Sequence, residues 1–246
     1  MNLFRVLSFL GVVLILPSLG RAATLTIANF DFETGGLADN SNSASPGVIP
    51  TSWQAVPGAG PSGSFYGYYN PVNDPGGYTT GVTGSPGITG TMSGPNVFYF
   101  GSATNGQGIQ QTLSSTFSLS TDYTLTVARG TRNSIYNNTL RMQLFAGSIL
   151  LTSRDVAPEP SGSRGTFMDY STTYTASVFN NAANTGLVGQ SLMIRFLEID
   201  NPGNPQAEVD IDNVRLVSAA GVPEPSSGML LVAGLAALAV MRRRRA

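Results

Sequence analysis

Tyr123-Thr124-Leu125-Thr126-Val127 alternates apolar and polar side chains, which places its apolar residues on one face of an extended chain. A period of two over a short run is typical of a strand with one buried face. The stretch is also rich in Thr, Tyr and Val, which strands favour. The same alternation recurs elsewhere, at Phe117 and Leu119, at Leu140, Met142 and Leu144, at Ile149 and Leu151, at Leu192, Ile194 and Phe196, and at Val214 and Leu216.

Clusters of Gly, Asn, Asp and Pro separate these alternating runs, for example at residues 129–138, 157–165, 180–186 and 201–205. Short strands with such punctuation predict an all-β fold, and more specifically a β-sandwich. Residues 35–95 differ, because they are dense in Gly, Pro, Ser and Asn and contain few alternating positions. We expect this region to form long loops over one end of the sandwich, or a partly mobile insert.

The first 22 residues have the features of a secretory signal peptide. Arg5 precedes an apolar stretch at residues 6–16, Pro17 follows it, and small residues stand at Gly20 and Ala22. We predict an N-terminal signal helix that is cleaved after Ala22. An uncleaved N-terminal anchor is the alternative, because Arg21 lies beside the expected cleavage point.

The C-terminal end has three parts in a fixed order. Val222, Pro223, Glu224 and Pro225 are followed by two serines, by an apolar run at residues 228–241, and by four arginines, Arg242, Arg243, Arg244 and Arg245. The run has no polar face, and a cluster of cations resists transfer across a bilayer. We therefore predict a transmembrane helix at 228–241 with a cytoplasmic arginine stop. The run is shorter than the usual span of about 20 residues, so a buried amphipathic helix is the alternative.

This tail closely resembles the PEP-CTERM sorting signal of Gram-negative bacteria with an exopolysaccharide-rich envelope. The resemblance covers residues 222–246 and implies export by the Sec machinery, transient residence in the inner membrane and recognition by an exosortase. Cleavage near Pro223-Glu224-Pro225 would then release the body to the outer surface or extracellular matrix. A second copy, Pro158-Glu159-Pro160, precedes no apolar segment, so we interpret it as a loop.

The composition excludes several classes of function. Between residues 23 and 224 the chain has seven arginines and fourteen acidic residues, a net charge of −7, and it has no lysine. Such a body is poorly suited to nucleic acid, whose binding depends on phosphate neutralisation. The chain also lacks histidine and cysteine, which excludes Ser-His-Asp and Cys-His catalysis and the usual zinc sites.

Two motifs at the edges of the body suggest a more specific fold. Asn29-Phe30-Asp31-Phe32-Glu33 lies near the start, and Val209-Asp210-Ile211-Asp212-Asn213-Val214-Arg215-Leu216 lies near the end. The pair is similar to the opening and closing segments of galactose-binding-like jelly rolls found among carbohydrate-binding modules. The resemblance implies one jelly-roll domain over residues 23–219.

In that family a structural calcium often joins the first and last strands. By position, the resemblance implies Glu33 and Asp212 as ligands, with Asp31 and Asp210 as nearby oxygen sources, and Ca²⁺ prefers such oxygens. The apolar phase also shifts between Ile211 and Val214, and again between Ile27 and Phe30, as a β-bulge would produce. The alternative is that these carboxylates are solvated groups that discourage edge pairing.

Aromatic side chains provide candidates for glycan contact, because sugar-binding modules stack exposed rings on pyranose faces. One candidate is Trp53, for which core packing is the alternative. The others belong to a tyrosine-rich cluster, for which loop packing is the alternative: Phe65, Tyr66, Tyr68, Tyr69 and Tyr78. The carboxylate pairs Asp210/Asp212 and Glu198/Asp200 have a spacing that is common by chance, so we predict no enzymatic activity. The expected function is a non-enzymatic cell-surface or extracellular-matrix protein, and the alternative is a module that binds exopolysaccharide.

Overall fold

The structure is a computed structural model that describes residues 22–35, 37–38, 41–42, 48–57, 64–70, 91–102, 106–132, 138–158, 166–176, 182–199 and 208–221. The predicted signal helix, the Pro-Glu-Pro motif, the apolar run and the arginine cluster lie outside these residues. Within the described ranges, no helix is long and apolar enough to cross a membrane.

Two antiparallel sheets account for the twelve strands among the described residues. The larger sheet contains β1 (Ala23–Leu25), β2 (Ser41–Asn42), β4 (Ser64–Asn70), β5 (Val97–Ser102), β7 (Thr121–Thr131), β10 (Thr166–Tyr174) and β12 (Glu208–Ala220). The smaller sheet contains β3 (Gln54–Ala55), β6 (Gly108–Thr116), β8 (Thr139–Ala146), β9 (Ile149–Val156) and β11 (Ser191–Ile199). A 3₁₀ helix, Ala182–Leu187, precedes β11.

The sheets form a sandwich of jelly-roll type, with strand orders β10-β7-β12-β5-β4-β2 and β3-β6-β11-β8-β9, and β1 pairs with β12. Edge strands β9 and β10 meet across one side of the sandwich. There Thr152 Oγ1 and Thr172 Oγ1 lie 2.8 Å apart, and Arg154 Nη1 donates to the Ser171 carbonyl at 2.7 Å. The prediction of an all-β sandwich is therefore confirmed.

The core is formed by the alternating residues that the sequence indicated. Leu125 and Val127 on β7 are fully buried, and the burial of β11 alternates along its whole length. The corresponding residues of β8, β11 and β12 belong to the same apolar cluster: Leu140, Met142, Leu144, Leu192, Ile194, Phe196, Val209, Ile211, Val214 and Leu216. Period-two patterning thus identified the inner face of four strands.

The bulge predicted in the last strand is confirmed. The register between β12 and β7 shifts between Asp212 and Arg215, and Asn213 has a φ of 46°. Because of this extra residue, Ile211 and Val214 both face the core although their sequence parity differs. The Val214 amide donates to the Phe30 carbonyl at 2.9 Å, which ties the bulge to the first segment.

The apolar phase also shifts between Ile27 and Phe30, but the cause there is a turn and not a bulge. Residues 28–31 form a turn after β1, with Asn29 at a φ of 47°. Phe32 then enters the core, whereas Phe30 remains exposed. The turn changes the chain direction, so the two aromatic residues do not share a face.

Two predicted alternations are wrong for local reasons. Phe117 and Leu119 follow the end of β6 and lie in the connection to β7, although Phe117 is buried. Ile149 and Leu151 do not share a face, because the β8–β9 register shifts between the pairs Phe145–Leu150 and Leu144–Thr152. Ile149 is 51% exposed and Leu151 is buried.

The described part of the region 35–95 contains strands. Strands β2, β3 and β4 fall in this region, and β4 occupies a position within the larger sheet. The tyrosine-rich sequence of β4 has Gly67 between Tyr66 and Tyr68, and these two rings face the core. The high glycine content of the flanking sequence concealed a strand that is itself apolar.

Substitutions at Asn213 test the importance of the bulge. We expect Asn213→Val to lower the free energy of unfolding by about 2–4 kcal/mol, since a β-branched residue is strained at positive φ and the bond from Nδ2 to the Thr91 carbonyl is lost. Asn213→Gly loses that bond but tolerates the backbone, so it should cost about 1 kcal/mol. Urea denaturation measures both values, and equal losses would contradict the assignment.

Candidate functional site

Three acidic side chains of β12 are buried on the outer face of the larger sheet. Glu208, Asp210 and Asp212 alternate with the core residues Val209 and Ile211, so they point away from the sandwich interior. Glu208 is 3% exposed, and the two aspartates are fully buried. A buried carboxylate is costly unless it is paired or protonated, so each of the three requires a partner or a proton.

Arg132 pairs with two of these carboxylates. Its Nε lies 3.0 Å from Glu208 Oε1 and 3.1 Å from Asp210 Oδ2, and its guanidinium stacks 3.8 Å from the centre of the Tyr69 ring. Burial raises the pKa of Glu208 well above its ordinary value, and the charge of Asp210 adds to that rise. Arg132 opposes the rise, but it is one cation between two carboxylates. Burial and the Glu208 charge also raise the pKa of Tyr99 to about 12.

Asp212 and Glu33 form a second acidic group, where β12 changes its neighbour from β5 to β1. Asp212 Oδ2 accepts from the Ser93 amide at 2.7 Å, whereas its Oδ1 has no hydrogen-bond partner among the described residues. Glu33 accepts from the backbone amide and from Nδ2 of Asn96, at 2.8 and 2.5 Å. Gly94 has a φ of 81° and passes so close that a Cβ there would clash with the Glu33 carboxylate.

The electrostatics of this group indicate excess negative charge. Burial raises the pKa of Asp212 well above its ordinary value, hydrogen bonds from Ser93 and Asn213 oppose that rise, and the charges of Glu33 and Asp31 add to it. Burial also raises the pKa of Glu33, and bonds from Asn96 partly offset the effect. The structure therefore brings three of the four predicted metal ligands into one electrostatic group.

The fourth predicted ligand belongs elsewhere. Asp210 accepts from Arg132 Nε and Nη2, so it does not contribute to the Asp212 group. Among the described residues, no three acidic side chains converge as ligands of a single metal ion. The alternative of solvated edge carboxylates does not fit Asp212, because that side chain is fully buried.

The candidate glycan-contact residues whose side chains the structure describes are all buried, so none of them presents an exposed stacking face, and Trp53 follows the alternative of core packing. Tyr78 lies outside the described residues. Trp53 packs against Phe32 and Phe196, with ring centres 5.6 and 6.0 Å away. Its Nε1 donates to the Asn29 carbonyl at 3.1 Å. Tyr66 and Tyr68 pack on Phe98, and Tyr69 lies beneath Arg132. These rings fill the space between the sheets or support the buried ion pair.

A third polar group lies inside the sandwich, at the end where β7 and β11 finish and β8 and β12 begin. We call it the interior polar cluster, and it contains Tyr66, Gln107, Arg129, Asn138 and Glu198. Glu198 is fully buried and accepts from Asn138 Nδ2. Arg129 Nη2 donates to the Asn138 carbonyl at 2.7 Å, and the Tyr66 hydroxyl donates to Gln107 Oε1 at 2.7 Å.

The cluster is built from inward positions of opposing strands. Glu198 continues the buried series of β11 after Phe196, and Arg129 continues that of β7 after Val127. Burial raises the pKa of Tyr66, the backbone of Gly108 opposes that rise, and the charge of Glu198 adds to it. A carboxylate, a guanidinium and a phenol thus converge at the end of an otherwise aromatic and aliphatic interior.

Sequence reasoning undervalued this cluster. Glu198 was considered only as half of a pair with Asp200, a residue that lies outside the described ranges. The informative signal was the phase of β11, because Leu192, Ile194 and Phe196 predict a buried position at residue 198. Gln107 and Asn138 carry no comparable signal, since both lie outside strands in glycine- or asparagine-rich sequence.

Comparison with known families identifies the body of the chain. The family described as HpiC1-like, HpiC1 cyclase, matches residues 23–217. The chain belongs to the HpiC1-like cyclase family. No curated protein sequence is measurably similar to it.

Solved structures from Fischerella share the fold of this HpiC1-like chain. The Stig cyclase Fisc from Fischerella sp. TAU, in complex with (3Z)-3-(1-methyl-2-pyrrolidinylidene)-3H-indole, is 23% identical, with a TM-score of 0.63 over 82% of this chain and all of that one. A cyclase from the same source, in complex with 4-(1H-indol-3-yl)butan-2-one, is 22% identical, with a TM-score of 0.62 over 81% of this chain and 99% of that one. At this identity the likeness establishes the fold.

These findings correct the predicted function. The non-enzymatic interpretation is wrong, because the matching family and its structural neighbours are cyclases, and the carbohydrate-binding alternative is not supported either. The match is to a cyclase family and not specifically to galactose-binding-like modules. The C-terminal prediction is confirmed at the level of the motif, since residues 221–245 match the PEP-CTERM protein-sorting motif. That motif indicates an exported protein associated with the cell envelope.

The raised pKa of Asp212 predicts a specific pH dependence of stability. Above about pH 4 the unfolded chain releases a proton that folded Asp212 retains, so this group's contribution to stability falls as pH rises towards the raised pKa. We expect Asp212→Asn to flatten that fall in melting temperature, measured in the presence of a chelator.

Asp155→Asn provides a matched control on the surface. Arg141 lowers the pKa of Asp155, so that group's contribution is lost as pH falls. Identical pH profiles of melting temperature for the parent protein and for Asp212→Asn would contradict a buried Asp212 carboxyl with a raised pKa.

Proposed function

We propose that this HpiC1-like protein is an exported cyclase-type enzyme whose substrate enters the end of the sandwich interior that holds the interior polar cluster. The observation that carries the proposal is the fully buried carboxyl of Glu198 in a family of cyclases. Cyclisation by proton transfer needs no redox group and no histidine, which suits a chain that has neither His nor Cys.

Glu198 is the proposed proton donor. Its proton would pass to a carbon of a double bond, the resulting cation would be captured by a second double bond or an indole ring, and a proton lost from the product would return to the carboxylate. The product is then an isomer of the substrate. Asn138 holds one oxygen of Glu198, and Arg129 holds Asn138 in turn, so the two residues position the acid.

The walls of the interior suit a cationic intermediate. Tyr66, Phe98 and Phe100 are buried in adjacent strands, and the Phe98 and Phe100 rings are stacked with centres 5.9 Å apart. Aromatic faces stabilise a nearby cation by roughly 1–2 kcal/mol. An apolar aromatic compound is the proposed substrate class, and the indole ligands named for the two Fischerella cyclases support that choice.

Activity of Glu198→Gln tests the assignment. We expect the parent protein to convert a member of a panel of alkene-bearing indoles into a product of unchanged mass, detected by liquid chromatography and mass spectrometry. Glu198→Gln should lower the rate by about 10²–10⁴-fold, because the amide cannot donate the required proton. Binding of 4-(1H-indol-3-yl)butan-2-one, followed by saturation-transfer NMR, should persist in the variant.

Asp169→Asn is the control, since Asp169 is exposed and pairs with Arg215 on the outer face of the larger sheet. Equal turnover by Glu198→Gln and the parent would exclude Glu198 as the acid. Absence of both binding and turnover in the parent across the panel would contradict an indole-type substrate.

We also propose a structural Ca²⁺ at the Asp212 group. Two observations support it: Asp212 Oδ1 is buried without a hydrogen-bond partner among the described residues, and the charges of Glu33 and Asp31 add to that of Asp212. A divalent cation would offset this excess charge. Because three carboxylates do not converge as direct ligands among the described residues, carbonyl oxygens and water would complete the coordination that Ca²⁺ prefers.

Calcium should therefore raise the melting temperature of the parent protein relative to a chelator. Glu33→Gln should reduce that calcium-dependent increase, because it removes one negative charge while the amide oxygen can still accept from Asn96. Asp155→Asn should retain the full increase. A parent protein with the same melting temperature in calcium and in chelator would refute the metal site.

We also propose the individual steps of sorting, which are insertion of the tail in the membrane and its cleavage. The order of Pro-Glu-Pro, apolar run and arginine cluster supports transient insertion in the inner membrane and cleavage by an exosortase near Pro223-Glu224-Pro225. The released body would then act outside the cytoplasm, at the outer surface or in the extracellular matrix. Such a location would bring a cyclase into contact with exported or environmental apolar compounds.

A further inference from the structure

Both ends of the folded body leave the sandwich at the same place. Ala23 pairs with Ser218 in the β1–β12 ladder, so the start of the body lies beside the end of the last strand. The Gly221 amide donates to the Ser120 carbonyl at 2.7 Å, which fixes the final described residue against the β6–β7 connection. The predicted signal peptide and the sorting tail are therefore joined to one end of the molecule.

We call this end the terminal pole, and hydrogen bonds define its extent. The Phe117 amide donates to the Gln190 carbonyl at 2.8 Å, and the Gly189 amide donates to the Phe117 carbonyl at 3.0 Å. The Gly147 amide donates to the Ser191 carbonyl at 2.9 Å. The pole thus comprises residues 117–122, 147–150, 187–191 and 221, which lie at the opposite end from the interior polar cluster.

The surface of the pole exposes three aliphatic side chains and carries almost no charge. Ile149 and Val188 are each 51% exposed, and Leu150 is 46% exposed. The sequence of the pole is otherwise made of Ser, Thr, Gly, Leu, Phe, Gln and one acid, Asp122. Asp122 Oδ1 accepts from the Ala176 amide at 2.7 Å, so this carboxylate joins the start of β7 to the segment that follows β10.

The length of the connecting chain limits how far the pole can lie from the apolar run of the tail. Residues 222–227 separate Gly221 from the run that begins at residue 228. Six residues span at most roughly 20 Å when fully extended. If the run enters a bilayer, the terminal pole must stay within that distance of its surface.

We propose that the terminal pole docks on the bilayer surface while the tail is attached, with Ile149, Leu150 and Val188 in the interfacial region. Uncharged polar groups around a few aliphatic side chains suit that region, because the one charged side chain of the pole, Asp122, already accepts a hydrogen bond from the Ala176 amide. Three side chains are too few for the roughly 1,000 Å² of total buried area that a stable dimer requires, so a second copy is the weaker occupant. The opposite end, which holds Glu198, then faces away from the membrane.

Spin labels test this orientation directly, because the chain contains no cysteine. Ile149→Cys and Val188→Cys would each carry a nitroxide in the exported chain with its tail retained, reconstituted in vesicles of phosphatidylethanolamine and phosphatidylglycerol. Met168→Cys is the matched control, since Met168 is 46% exposed and lies near the start of β10, at the other end of the sandwich.

We expect labels at 149 and 188 to collide severalfold less with a water-soluble nickel complex than the label at 168, and to collide more with oxygen. Equal accessibility at all three positions would overturn the proposal. Protection from both reagents would indicate a protein contact and would also overturn it, as would failure of the full chain to float with the vesicles. The inference rests on the proposed membrane insertion of the tail, but none of these outcomes depends on cyclase activity, so the proposed catalysis is tested separately.

Discussion

The register break in β12 is the constraint on which the rest of the sandwich depends. Asn213 inserts one residue at a φ of 46°, and β12 pairs with β7 on both sides of it. Its other neighbour changes there from β5 to β1. Without that extra residue, Val214 and Leu216 would point outward and the core would lose their burial, worth about 1.5–3 kcal/mol for each side chain. The bond from Val214 to Phe30 connects the same break to the opening segment.

The charge distribution follows from a chain that buries acids without lysine or histidine to neutralise them. Arg132 forms ion pairs with Glu208 and Asp210 on the outer face. In the interior, the Asn138 side chain donates to Glu198, and Arg129 donates to the Asn138 carbonyl. Asp212 has amide donors but no cation beside it among the described residues, and its pKa is raised accordingly. Buried ion pairs often add little net stability, because the cost of desolvating both charges offsets their attraction. Among these acids we assign the proposed chemistry to Glu198, which lies on the inner side of the sandwich and close enough to Tyr66 for its charge to raise the pKa of that phenol.

The sequence predicted the sheets better than the sites. Alternation identified the core faces of β7, β8, β11 and β12, and the phase shift at Asn213 identified the bulge, because burial on one face imposes a strict period. It failed where local geometry changes that period, as at the bulge beside Leu150 and the turn at Asn29. Composition concealed β4, and the rings of Trp53 and Tyr68 could not be assigned to core or surface from residue type alone. The partners of Glu198 come from separate connections, since its backbone amide donates to the Gln107 carbonyl and its side chain accepts from Asn138, so no local pattern could have joined them.

The two ends of the sandwich thus have different roles: one holds both chain termini, and the other holds the interior polar cluster. Both depend on β12 being locked across its whole length, and native-state hydrogen exchange of the Val214 amide measures this most directly. If the register break is integral to the fold, that amide should exchange only through global unfolding, with the same opening free energy as the amides of Leu125 and Ile194. A much lower opening free energy at Val214 would show that the break is a local irregularity, and would contradict the account.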